Sequence, residues 1–177
     1  MITKPQIRAA AAAVTAVLSV TIGAGPAAAD VGGGPQPEGP YCARIEKSVS
    51  CTVAEPVVTQ PATTYPIVVH RGDRIMVTAG GCVQTGGHGL TWKRYVDPQS
   101  GKDLYHGLID IPGVTGGLQR IRGLAGAWFE AFGDGNIILG YEDDGYSDNG
   151  YYAHDDGTNG QCRGVGSAWV SVRIERA

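Results

Sequence analysis

Oxygen donors crowd residues 141–162, YEDDGYSDNGYYAHDDGTNGQC. Glu142, Asp143, Asp144, Asp148, Asp155 and Asp156 are six of the chain's 17 acidic residues, and glycines and tyrosines are threaded between them. Asp143, Asp144, Asp148 and Asn149 fall within a span of seven residues. Hard cations such as calcium take several oxygen ligands from carboxylates, side-chain amides and backbone carbonyls, in a cage that tolerates flexible geometry. Unpaired carboxylates so close together repel one another, and a divalent ion removes that cost. The plainer alternative is a solvated acidic loop. Calcium is the reading preferred here. An EF-hand is excluded: counted from Asp155, the sixth position is Gly160 as required, but the twelfth is Gly166, where a bidentate Glu is needed.

Other chemistries find less support. No C-x₂-C or H-x₃-H spacing suggests zinc. Gly-x-Ser-x-Gly and phosphate-cradling loops are absent from the sequence. His154 stands beside Asp155 and Asp156, but a surface histidine near acids is more often a bystander than a base. Glu130, Glu142 and the other acids offer no pair that spacing alone would select for hydrolysis, so no catalysis is expected. Arg71-Gly72-Asp73 lies between two apolar runs and reads as a tight turn rather than an adhesion signal.

The elements that position these groups are short. Residues 1–29 have Lys4 and Arg8, an apolar run from Ala9 to Ile22 and GAGPAAA before Asp30, the pattern of a secretory signal peptide. The run is too short to span a membrane, and no membrane anchor is expected. Without Lys4 and Arg8 the 14 basic residues become 12, against 17 acidic, a net charge of −5. That balance disfavours nucleic acid. Cys42, Cys51, Cys82 and Cys162 make an even count in an exported chain, which suggests two disulfides. Three pairings are open; Cys42–Cys51 with Cys82–Cys162 is preferred, because the first closes a short loop. Residues 30–64 read as a flexible N-terminal segment with a Cys42/Cys51 loop, irregular or with short edge strands around Pro56 and Pro61. From residue 65 onward strand signals recur at turn spacing: 67–70, 75–78, 90–96, 108–111, 118–121, 128–132, 135–140 and 168–174. Trp128 and Trp169 alternate within such strands and are expected in the core. The fold class is all-β, a small jelly-roll or β-sandwich of two antiparallel sheets, with loops gathered at its ends.

Between Tyr65 and Ile174 the order of motifs resembles the calcium-dependent galactose-binding lectins typified by the PA-I galactophilic lectin. YPIVVHRGDRIMVTAGG resembles that family's opening strand pair. HGLI (106–109) with GGLQRIRG (116–123), NIILGYEDD (136–144), and DN followed by GSAWVSVRI (166–174) resemble the later strands and the calcium loop. The resemblance implies a secreted lectin with Ca²⁺ as its cofactor, galactose-like glycans as ligands and oligomers as possible assemblies. Carried over by position, the ion's ligands are Asp143, the backbone carbonyl of Ser147, Asp148, Asn149 and a carbonyl at Thr85. Asp148, Asn149, His106 and an aromatic, Tyr146, would contact sugar, with Tyr151, Tyr152 and Trp92 as further stacking candidates. The sequence departs from the family in a shorter Asp-to-amide spacing, in Asp-Asn where the family has Asn-Asn, and in the inserted segment 151–164. That insertion is expected to cover the sugar site, widen it or hold a second ion. The alternative function is a calcium-stabilised structural or protein-binding module without sugar affinity.

Overall fold

The computed structural model describes residues 39–86, 89–96 and 104–177. All lie in the unit Pro35–Ala177; the expected signal segment falls outside them. The strands are β1 (Tyr41–Ile45), β2 (Ser48–Ala54), β3 (Ala62–Val69), β4 (Arg74–Gly80), β5 (Cys82–Thr85), β6 (Trp92–Arg94), β7 (His106–Asp110), β8 (Gln119–Arg120), β9 (Trp128–Glu130), β10 (Gly135–Glu142), β11 (Asn149–Gly150) and β12 (Trp169–Glu175). They form a five-stranded sheet β1-β2-β12-β4-β9, a four-stranded sheet β3-β10-β7-β8 and a small sheet β11-β5-β6, all with antiparallel pairing. No helix among the described residues is long and apolar enough to cross a membrane.

Period-two alternation decides which face is buried. In β12, Val170, Val172 and Ile174 point inward with Val53, Ile75 and Val77 from the same sheet. They meet Tyr65, Ile67, Ile109, Ile137, Leu139 and Tyr141 from the four-stranded sheet in one apolar core. Each such aliphatic side chain contributes roughly 1.5–3 kcal/mol when fully buried. A one-residue slip would turn all of them to water, so the register is strongly specified.

The same alternation corrects the expectation for the tryptophans. Trp169 shares the outward parity of Ser171 and Arg173 and is 40% exposed. Trp128 also lies on the outer face, half-buried beneath the guanidinium groups of Arg74 and Arg173, 5.0 and 5.5 Å from its ring. A second difference concerns residues 41–64. These are built into the sandwich: β2 lies between β1 and β12, and Cys51 and Val53 belong to the core. Their Ser/Thr-rich alternation, SVSCTVA, carries small apolar residues on one face only, which reads weakly beside the neighbouring prolines. A third is the small sheet: β6 falls within the expected strand 90–96, but β5 and β11 are too short to announce themselves.

Both preferred disulfides form. Cys42–Cys51 joins residues directly opposite in β1 and β2, and Cys82–Cys162 ties the 151–164 insertion to β5. The Arg71-Gly72-Asp73 segment is a turn. Gly72 takes a left-handed conformation, with its N–H donated to the Ala131 carbonyl. Asp73 is 2% exposed; it accepts a hydrogen bond from the His70 N–H at 2.8 Å and one from Arg176. An aspartate so enclosed does not project as an adhesion motif does.

Candidate functional site

The acidic loop leaves the end of β10 and returns as β11. In the small sheet Asn149 is registered opposite Thr85, and in the four-stranded sheet Glu142 is registered opposite His106. Two long-range pairings therefore bring Thr85 and His106 to the ends of the segment that carries Asp143, Ser147, Asp148 and Asn149.

Asp143 caps its own turn. Its Oδ1 accepts the N–H groups of Asp144 at 2.7 Å and Gly145 at 3.3 Å. Its Oδ2 is buried and meets no donor. Burial pushes the Asp143 carboxyl above its ordinary value, opposed by the Asn149 side chain and by the Gly145 and Asp144 N–H groups. Asn149 is 3% exposed and donates its amide N–H to the Val58 carbonyl at 2.9 Å. That bond fixes which end of the amide is which, and its Oδ1 is likewise buried without a donor. Buried oxygens are nearly always satisfied, so two unsatisfied acceptors on one loop require a reason. Asp148 lies between the two loops: Cβ atoms added at Gly86 and Gly145 would come within 3.8 and 4.0 Å of its carboxylate oxygens. Ser147 is exposed. These are hard oxygen donors of the kind calcium takes, two carboxylates joined by an amide oxygen and backbone carbonyls. Among the described residues no three His, Cys, Asp or Glu side chains converge as a metal group. The donor set above contains only two such side chains.

Of the sugar-contact candidates, His106 is 3% exposed. Tyr146 is half-buried and donates its hydroxyl to the Tyr141 carbonyl at 3.2 Å. Trp92 is fully buried, and the Tyr151 hydroxyl is donated to the Pro56 carbonyl. Tyr152 differs: it is 73% exposed, lies over Gly150, and directs its hydroxyl to the Asp148 carbonyl at 3.4 Å.

Two residues escape a reading by sequence. Gln84 is a buried amide that donates to the carbonyls of Gly86 and Asp148 at 2.9 and 3.4 Å and accepts the Ala153 N–H at 3.2 Å. It locks the Thr85 loop, the acidic loop and the insertion together. Tyr105, in a left-handed conformation just before His106, donates its N–H to the Glu142 carbonyl. Burial first, then the charges of Asp144, Asp143 and Asp148, push its phenol up. A positive φ at a non-glycine residue is invisible in sequence, and a lone Gln carries no motif.

The insertion packs beneath the loops through its own acids. Asp155 accepts the N–H groups of Thr91, Trp92 and Gly157 at 2.9, 3.3 and 2.6 Å. Desolvation works against its charge, but these bonds outweigh it and hold its carboxyl below the ordinary value. Asp156 pairs with Arg163 at 3.0 Å, and the His154 ring nitrogen contacts the Val165 carbonyl at 2.8 Å. The carboxylate of Asp155 is thus engaged by backbone donors.

Gly107 of the HGLI motif has a steric role: a Cβ there would sit 2.4 Å from the Tyr95 ring.

No family model matches the chain, and no curated protein matches it. Among solved structures it is similar to one described as "EclA N-terminal domain; PllA-like lectin", with 16% identity and a TM-score of 0.44, over 75% of this chain and 100% of that one.

Proposed function

We propose that the protein is a secreted, calcium-dependent carbohydrate-binding protein of lectin type that takes galactose-like glycans. The observation that carries this reading is the pair of buried, donorless oxygens, Asp143 Oδ2 and Asn149 Oδ1. A cation is a natural partner for buried acceptors left without a hydrogen bond. Calcium would be held by Asp143, Asp148, Asn149 and the carbonyls of Ser147 and Thr85. Once bound, it supplies open coordination positions that two adjacent sugar hydroxyls can fill. Asp148 would accept hydrogen bonds from those hydroxyls, whereas Asn149, 3% exposed with its amide N–H committed to Val58, would serve the ion alone. His106, being buried, is kept to the floor of the site. Tyr146 has its hydroxyl committed to Tyr141, whereas Tyr152 offers an exposed ring beside Asp148 for a sugar's C–H face. The two disulfides agree with an oxidising, extracellular setting.

Calorimetric titration of the oxidised protein with Ca²⁺, followed by a glycan array with and without chelator, tests this. Binding of galactosides that is lost with chelator and in Asp148→Ala supports it. Calcium that raises Tm while no sugar binds would point instead to a structural or protein-binding module. No heat on adding calcium and an unchanged Tm would end the reading.

A further inference from the structure

A groove of about 650 Å³ crosses the outer side of β10, β7 and β8, lined by Leu108, Leu118, Arg120, Arg122 and Glu142. Its end at Glu142 lies next in the chain to the acidic loop and is registered opposite His106. Leu118, 36% exposed, lies across β10 at Gly140, where an added Cβ would come 3.2 Å from its Cδ1. With Leu108 it makes an apolar floor. Arg120 grips Glu142 through two bonds, Nε to Oε2 at 2.9 Å and Nη2 to Oε1 at 3.2 Å, so those two charges cancel locally. Arg122 is exposed in the 3₁₀ turn 121–123 and joins no ion pair among the described residues. The chain has more acids than bases, and its densest acidic segment starts at this groove, yet this guanidinium stays uncompensated.

We infer that the groove is a second subsite for an anionic sugar, one bearing a carboxylate or a sulfate, linked to the residue bound at the calcium loop. The ring's C–H face would rest on Leu108 and Leu118, and Arg122 would take the anion in the forked geometry that guanidinium groups favour. This rests on the lectin reading above, from which it can be separated by experiment.

Affinities are measured by titration in calcium for lactose, for its counterpart oxidised to a uronate on the second ring, and for lactose sulfated on that ring. The acidic ligands are expected to bind about fivefold tighter than lactose at low salt, as one partly exposed ion pair allows. Salt at about 0.5 M shrinks that advantage. Arg122→Ala should abolish it and leave lactose binding and Tm unchanged. Glu142→Gln, which removes a carboxylate from the groove's lining, should enlarge it. A gain for only one acidic ligand identifies which anion the groove takes. Equal binding of neutral and acidic ligands, or an advantage that survives Arg122→Ala, overturns the subsite and leaves the lectin reading standing. Failure of all three ligands to bind in calcium overturns both.

Discussion

Asp143 is where stability and function pull in opposite directions. Its Oδ2 is buried without a donor, and burial raises its pKa. Folding therefore favours the protonated carboxyl. The stability from that protonation is present below the unfolded-state pKa and is lost as pH rises through the higher folded-state value. At neutral pH the ionised group burdens the metal-free fold. Asp143→Asn is expected to raise the calcium-free Tm at neutral pH, with the gain shrinking in acid, and to remove the stabilisation calcium gives. For a site at a hundred times its Kd, that stabilisation is about 2.7 kcal/mol. Melts with and without calcium from about pH 4 to pH 8 check all three points. Tyr152 tests the sugar side separately. It is exposed, so Tyr152→Ala should leave Tm within about 0.5 kcal/mol of the parent. Galactoside affinity should fall several-fold, since a lost aromatic contact is worth roughly 0.5–1.5 kcal/mol. Undiminished affinity would remove Tyr152 from the site.

The elements that build the site are the least regular in the molecule. β5 is buried at Cys82, Val83 and Gln84 in succession, with no alternation, and β11 is two residues long. What holds them is Gln84, whose amide satisfies two carbonyls and one N–H on three segments. Gln84→Met keeps the volume and strands all three partners. It is expected to cost about 2–4 kcal/mol, from the usual penalty for buried polar groups left unpaired. Calcium affinity should fall with it, since Thr85 and Asp148 lose their common tether. Urea melts and calcium titration of the variant measure both. By contrast β12 is legible directly, because it alternates β-branched residues with polar ones, and β4 and β10 are legible through the short apolar runs 75–77 and 137–139 that glycines and polar residues bound. β2 carries the same period in weaker residues and reads poorly for that reason.

Across the whole molecule, closure depends on contacts between distant parts of the chain. Arg176, just beyond β12, reaches Asp73 in the turn before β4 and the Val68 carbonyl at the end of β3. The buried Asp73 has this guanidinium as its counter-charge, so Arg176→Ala should destabilise by about 3–5 kcal/mol, the range for a buried charge stripped of its partner. Asp73→Asn combined with Arg176→Ala should recover part of that loss, because the orphaned charge is gone. A double-mutant cycle by thermal melting measures the recovery, and an Arg176→Ala protein as stable as the parent would refute the assignment. The same long-range logic places the site: Val58, from a segment that reads as loose, supplies the carbonyl that orients Asn149.

Taken alone, the sequence determined what is local. Alternation set the strands and the all-β class, the even cysteine count set the expectation of two bridges, and the density of acids marked 141–149 as the segment to watch. Tertiary structure decided what depends on partners far along the chain. It chose the face that Trp128 and Trp169 occupy, the register that sets Thr85 opposite Asn149, and the burial that leaves two oxygens without donors. A period of two says that a strand has two faces but not which neighbour will cover one of them. A carboxylate becomes an unmet acceptor only when the rest of the chain has closed around it.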